Sequence, residues 1–403
     1  MSSRRGGGRG RWSGVAALVF TVGAGGLGGG AVVSCAGSAS SHPPTGHVAS
    51  AGSERVRPPV VPPAGGSGAT AGPTIPSTGL VAPPPDDRVG IVLGNAFNDP
   101  ADIERTLTDL AAVGCGWVRA DFDWPSIEPE RGTFDWTDTD RFVALAARHH
   151  VRVLALLAYT PAWARPKGSS DKHPPTDAAD YARFAAEAAT RYRHATVGAW
   201  EIWNEPNSAS FWQPKPDTKG YLNLLRAASA TIRAADPDAT IVTGGLAPAV
   251  DARNRSEMSP ETFLARLLAA GASDSFDAVG SHPYSYPALP SDETTAAWNS
   301  FYRLPELHAK LESAGFGDRP IWITEVGAPT GTSDRAVSPE HQAEILGDAL
   351  TTARSLPWVA HTFVYSYQDR SDDDTDPEAN FGLRRADGST KPAWDTFVGL
   401  LRH

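Results

Sequence analysis

From residue 88 onward, short runs dense in Val, Ile, Trp and Ala alternate with stretches in which Ala, Leu and Arg recur at helical spacing. Eight such pairs can be drawn. The pattern predicts strands over 89–94, 117–122, 151–157, 199–203, 240–244, 278–282, 321–325 and 361–365. Helical periodicity is clearest over 178–193 and 221–235, and a closing helix at 391–401 is expected to pack against the first strand region. Strand and helix in strict alternation is the signature of a parallel sheet wrapped by helices. Eight repeats predict an α/β fold, a (β/α)8 TIM barrel, with no second domain needed.

The chain before this pattern has a different character. Arg4, Arg5, Arg9 and Arg11 precede an apolar, glycine-rich run over 15–33, which reads as an export signal and places the globular part outside the cytoplasm. The run ends Val32-Val33-Ser34-Cys35, similar to a bacterial lipoprotein cleavage site with Cys35 as the acylated residue; cleavage elsewhere and an uncleaved anchor are the alternatives. Residues 36–86 are Ser, Gly, Pro and Ala with few bulky apolar side chains, so they read as a disordered tether. The chain thus divides into a leader at 1–35, a linker at 36–86 and a single catalytic domain at 87–403.

Composition narrows the class. The chain has 403 residues, 41% hydrophobic and 20% charged, enough for a large core. A net charge of −10 without a basic cluster beyond the leader argues against nucleic acid as partner and leaves the membrane only the N-terminal lipid or anchor. Of two cysteines one is Cys35, so the mature domain cannot form an internal disulfide, and Cys115 reads as a small core residue. No nucleotide, redox or metal motif is evident, so no cofactor is expected, and a monomer is the default.

Two glutamates carry the chemistry. Glu205 follows the run Gly-Ala-Trp-Glu-Ile-Trp-Asn at 198–204, and Glu325 follows Pro-Ile-Trp-Ile-Thr at 320–324; each closes an apolar strand, and Pro206 or Gly327 helps the chain leave it. The 120 residues between them equal about three units of roughly 40 residues, which puts them on strands four and seven, facing one mouth. Other strand ends are rich in groups suited to sugars: Arg119, Asp121, Asp123 and Trp124 on the second, Tyr159 and Trp163 after the third, Trp203, Asn204 and Asn207 on the fourth. His282, Tyr284 and Tyr286 follow the sixth, and Tyr365, Tyr367 and Gln368 the eighth. Aromatic faces lie against sugar C–H groups, while amides and carboxylates meet hydroxyls.

Three segments in order, Gly-Trp-Val-Arg-Ala-Asp-Phe-Asp-Trp-Pro-Ser-Ile-Glu-Pro-Glu-Arg-Gly at 116–132, Trp-Asn-Glu-Pro-Asn at 203–207 and Trp-Ile-Thr-Glu at 322–325, resemble the clan A glycoside hydrolases, families 39 and 5 above all. The resemblance spans residues 88–403. It implies a retaining O-glycosidase acting on a polysaccharide or glycoconjugate outside the cell, with Glu205 as general acid/base and Glu325 as nucleophile. It further implies that Asn204 holds the hydroxyl beside the reacting carbon, that Arg119 and Tyr284 keep Glu325 ionised and oriented, and that His282 lines the same subsite. Trp163, Trp203 and Tyr365 complete the sugar-binding set. The eighth strand departs from the family pattern, with Tyr365 and Tyr367 where relatives commonly place a tryptophan. A transglycosylase and an inactive carbohydrate-binding barrel are the competing readings on the same scaffold.

Other features have plainer readings. Glu201 shares the parity of Glu205 on a regular strand and is expected to form a buried ion pair with Arg119. His149-His150 reads as the cap of a helix, and the acidic run 369–378 as a solvated loop, although it could contact substrate or calcium. The segment 284–298 could wall the cleft or simply pack as a loop.

Overall fold

The computed structural model describes residues 88–94 and 100–402. The leader, Cys35 and the whole tether lie outside the described residues. Eight parallel strands, β1 (Val89–Gly94), β2 (Trp117–Asp123), β3 (Arg152–Ala158), β4 (Val197–Ile202), β5 (Thr240–Thr243), β6 (Val279–Ser281), β7 (Ile321–Val326) and β8 (Val359–Val364), hydrogen-bond in the order β5-β4-β3-β2-β1-β8-β7-β6. Parallel bridges Val242–Ala278 and Leu246–Ser281 join β5 to β6 and complete the TIM barrel. No helix among the described residues is long and apolar enough to cross a membrane.

The strand boundaries follow the apolar pattern to within two residues, and the differences have local causes. β4 begins at Val197 and stops at Ile202, because Trp203 already has φ 70°, which no strand allows. β6 is three residues long, and just past its end the backbone N–H of His282 donates to the carbonyl of Leu246 at 2.9 Å.

Helices α1 (Pro100–Ala112), α2 (Trp124–Ile127), α3 (Thr137–Arg148), α4 (Ala178–Tyr192), α5 (Thr218–Ala235), α6 (Pro260–Ala269), α7 (Leu304–Ser313), α8 (Pro339–Ser355) and α9 (Pro392–Leu401) follow in chain order. Asp177, Asp217, Ser259 and Ser338 cap α4, α5, α6 and α8 by accepting hydrogen bonds from first-turn backbone N–H groups. Each longer helix turns one apolar stripe to the strands, as α4 does with Tyr181, Phe184, Ala185 and Ala188. The closing helix packs chiefly on α8 rather than on the first strand, since Trp394 and Phe397 lie in the outer layer of core. His149 is the C-terminal cap of α3, and its ring meets Glu104 at 2.9 Å.

Inside the barrel, Val92, Trp117, Leu154, Ala199, Val242, Ala278, Trp322 and Phe363 form a separate apolar plug with one residue from each strand or its edge. Trp117 meets Trp322 edge to face at 5.7 Å, and each fully buried large apolar side chain of this kind contributes about 1.5–3 kcal/mol. The plug fills the lower barrel, and the polar residues Arg119 and Glu201 stand one inward-facing layer above it.

Candidate active site

Two residues above Trp117 on the same face of β2 sits Arg119, and two above Ala199 on β4 sits Glu201; they form the first polar layer over the plug. Nε of Arg119 donates to Oε2 of Glu201 at 2.6 Å, and Nη2 donates to Oε1 of Glu201 at 3.2 Å and to Oδ1 of Asn204 at 2.9 Å. Its remaining nitrogen, Nη1, donates to Oε1 of Glu325 at 2.7 Å. Oε1 of Glu201 also accepts from the N–H of Gly245 at 2.9 Å. One guanidinium therefore ties β2, β4 and β7 into a rigid platform.

Strict alternation along β7, with Trp322 pointing inward, would aim Glu325 away from the mouth. The register of β7 against β8 slips by one residue between Ile323 and Val326, and this bulge re-aims the glutamate. Oε2 of Glu325 accepts from the hydroxyl of Tyr284 at 2.8 Å. A Cβ at the following Gly327 would overlap the carbonyl oxygen of Tyr365, so only glycine lets the chain leave β7 beside β8.

Glu205 leaves β4 through a strained turn: Trp203 and Glu205 have φ of 70° and 47°, values uncommon outside glycine. Its surroundings hold the turn in place. The N–H of Glu205 donates to Gly245 O at 3.0 Å, and Asn207 is pinned on both sides, donating to Ala247 O and Met258 O and accepting from Ala247 N. Glu205 as a residue is 1% exposed. Burial, with the negative charges of Glu325, Glu378 and Glu257, pushes its pKa well above the usual carboxylate range against the opposing pull of Arg119. Nδ1 of His282 lies 2.9 Å from Oε1 of Glu205 and 3.6 Å from Oε2 of Glu325. Burial and the charge of Arg119 hold His282 well below the ordinary imidazole pKa, Glu201 opposing, so the ring is neutral.

One carboxylate oxygen from each glutamate and one nitrogen of His282 lie within 4.8 Å of one another. The same trio has donor types a divalent cation accepts. Both oxygens of Glu325 are already acceptors for Arg119 and Tyr284, and the guanidinium beside them would oppose a second cation. The two carboxyls have unlike surroundings, one buried among acidic neighbours and the other gripped by an arginine.

A cavity of about 1790 Å³ opens over this pair. Among the expected site residues Arg119, Asn204, Glu205, Tyr284, Glu325 and Tyr365 line it. Three others do not. Trp203 is fully buried, packed against Tyr159 and Trp212 with its Nε1 donating to Phe211 O, so it shapes the β4 turn rather than forming a sugar platform. Trp163 packs edge to face on Trp124 and donates to Glu128 O, behind the wall. His282 is also fully buried and meets the carboxyl of Glu205 instead of forming a subsite surface.

The cavity wall also holds Lys172, which the linear pattern did not single out. Lys172 lies over the ring of Tyr159 at 3.0 Å, beside Asp121, whose pKa burial pushes up to about 6 against Arg119, with Asp123 and Glu325 adding to the rise. The acidic run is only partly a solvated loop. Its middle is exposed, but Glu378 is buried in the cavity wall with Phe381, and Asp369 is paired with the buried Lys391 at 2.8 Å. The apolar Phe381 close behind the acidic stretch was the available signal that the loop folds inward. Tyr284 and Tyr286, from the segment read as wall or loop, do line the cavity.

The family model described as glycosyl hydrolases family 39 matches residues 180–401, and one described as beta-galactosidase matches residues 98–209. No curated protein matches the sequence. Among solved structures, a family 39 glycoside hydrolase from the gut symbiont Bacteroides cellulosilyticus is 25% identical with a TM-score of 0.64, covering 78% of this chain and 63% of its own. A family 39 enzyme from Xanthomonas axonopodis is 18% identical with a TM-score of 0.59, covering 79% of this chain and 67% of its own. A family 5 glycoside hydrolase from Streptomyces cattleya, solved with GlcNAc, is 19% identical with a TM-score of 0.61, covering 79% and 80%. The chain thus spans under two thirds of the length of the first of these relatives.

Proposed function

Because the chain belongs to glycosyl hydrolases family 39, we propose that it is a retaining O-glycosidase in which Glu205 is the general acid/base and Glu325 the nucleophile. The observation that carries this reading is the approach of the two carboxyl groups, with an oxygen of each within 4.8 Å. Retention calls for carboxyl groups about 5–5.5 Å apart, whereas inversion needs about 6.5–9.5 Å to seat a water between them. The unlike surroundings agree with the roles. Glu205 holds a proton at neutral pH to give to the leaving oxygen, and Glu325, hydrogen-bonded by Arg119 and Tyr284, attacks the anomeric carbon as the carboxylate. The first step breaks the glycosidic C–O bond and forms an ester to Glu325. In the second, Glu205 takes a proton from water as that ester is hydrolysed.

A volume of about 1790 Å³ is more than one sugar ring requires, which supports a glycan chain as substrate. Tyr159, Phe211, Tyr284, Tyr286, Tyr365 and Phe381 supply the aromatic faces along it. Taken with the export-type leader, this leads us to place the enzyme outside the cytoplasm, on an envelope or extracellular glycan.

The test is a panel of aryl glycosides followed by proton NMR of the first-formed anomer. Retained configuration is expected, with no turnover by Glu325→Ala. Glu205→Ala should spare substrates whose leaving groups need no proton and lose about 10²–10⁴-fold on the others. Inverted product, or equal loss by Glu205→Ala on both substrate kinds with the fold intact, rules the assignment out. Accumulation of longer oligosaccharides would mark a transglycosylase.

A further inference from the structure

Behind the acid/base pair lie two polar atoms that the mechanism above leaves idle. Nε2 of His282 and Oγ1 of Thr324 are both fully buried and have no hydrogen-bond partner, although buried polar atoms are nearly always paired. They converge on one place. A Cβ on Gly245 would overlap both atoms, so each faces the same small space above that glycine, within reach of one another through at most one water. Thr324 immediately precedes Glu325 on β7, and its Oγ1 shares the space above Gly245 with Nε2, the ring nitrogen that does not meet Glu205.

We propose that Thr324 is a positioning residue for the proton transfer: its hydroxyl donates to Nε2 of His282, directly or through one water, and so fixes the imidazole as the Nδ1–H tautomer. This rests on the reading of Glu205 as the proton donor. The far side of the ring supplies the reason. Nδ1 lies 2.9 Å from Oε1 of Glu205 and 3.6 Å from Oε2 of Glu325, so two carboxyl oxygens face one nitrogen. A lone pair on Nδ1 would point at the charge of Glu325, while an N–H there meets acceptors on both sides. A neutral ring carries only one N–H, so Nε2 is then an acceptor and requires a donor, and Thr324 is the hydroxyl placed to be one.

The consequence falls on Glu205. With Nδ1–H donating to Oε1, the acid proton resides on Oε2, from which it passes to the leaving oxygen as the C–O bond breaks. With the other tautomer, Nδ1 would accept the proton from Oε1 and hold it away from the substrate. Among the described residues the charged and titratable groups around the ring are Glu205 and Glu201 from β4 and its end, Glu325 from β7 with the Tyr284 hydroxyl on its Oε2, and Arg119 from β2; the segment after β5 presents the backbone of Gly245.

The experiment is ¹⁵N NMR of the full-length protein labelled at histidine, with kinetics of Thr324→Val and Thr324→Ser on aryl glycosides of graded leaving-group pKa. His282 should be the Nδ1–H tautomer in the native protein. Thr324→Val should mix the tautomers and lower kcat about ten-fold on poor leaving groups while sparing activated ones, and Thr324→Ser should restore both. A native Nε2–H tautomer overturns the proposal even if the valine variant fails to fold. So does a folded Thr324→Val with native tautomer and native leaving-group dependence. If instead Glu205→Ala fails its own leaving-group test, the functional assignment is at fault and not the part given to Thr324.

Discussion

Arg119 donates from Nη1 to Oε1 of Glu325 at 2.7 Å, joining β2 to a residue 206 positions later while its Nε holds Glu201 at 2.6 Å. Its side chain is 2% exposed and that of Glu201 is fully buried. Among the described residues neither carboxylate has a second lysine or arginine in contact, so removing Arg119 strands two negative charges. Arg119→Met should destabilise the fold by about 3–5 kcal/mol in urea denaturation, and adding Glu201→Gln should recover part of the loss. A midpoint unchanged from the native protein would show that the pair does not hold the barrel.

The pH dependence of stability has a definite sign. Glu205 and Asp121 are both pushed up by burial, so the folded protein holds their protons more tightly than the unfolded chain does. Stability from such groups is full below their unfolded values and is lost as pH rises through the folded ones. Asp121, moved from 3.8 to about 6, should account for loss between about pH 4 and about pH 6. Asp121→Asn should flatten the melting temperature over that window, and Glu205→Gln should flatten the decline that continues above it. Melting curves with native slopes in both variants would contradict this.

Glu378 acts on Glu205 from across the cavity. Its negative charge helps raise Glu205 and its carboxylate accepts no hydrogen bond among the described residues, with Arg370 and Arg335 only as electrostatic neighbours. Glu378→Gln should therefore move the alkaline limb of the kcat/KM profile to lower pH, because the acid would lose its proton sooner. An unshifted limb would mean the loop lies farther from the pair in solution.

Lys391 anchors that loop. Its ammonium, 2% exposed, donates to Asp369 and Thr330 at 2.8 Å and to Asn380 O at 3.1 Å. Lys391→Met leaves Asp369 buried without a cation and should cost about 3–5 kcal/mol in stability. It should also raise KM, as the segment carrying Glu378 loosens. Native stability in the variant would show the loop to be held by its backbone contacts alone.

Gly245 is the tightest point of the site, since any side chain would strike His282 and Thr324. Gly245→Ala should displace the imidazole from Glu205 and lower kcat about 100-fold with the fold retained by circular dichroism. Native kcat would mean that His282 can shift without consequence.

The linear pattern already contained the eight strands, the order of the elements and the two glutamates, because a strand buried on both faces must be apolar along its length and a carboxylate ending one stands out. Glu201 was legible for the same reason: parity puts it inside, and a buried carboxylate requires a cation such as Arg119. Tertiary structure decided the rest. Strict alternation turns Glu325 outward, and only the extra residue of β7 against β8 turns it in. Trp203, Trp163 and His282 read as sugar-facing from their neighbours in sequence, yet Trp203 adopts φ 70° and packs away from the cavity, and the other two meet groups 35 and 77 positions distant. Glu378 looked solvated among aspartates until Phe381 and Lys391 drew the loop inward. Periodicity reports which face of an element is buried; which polar groups then meet depends on bulges, turns and ion pairs between distant segments, and these are settled only when the barrel closes.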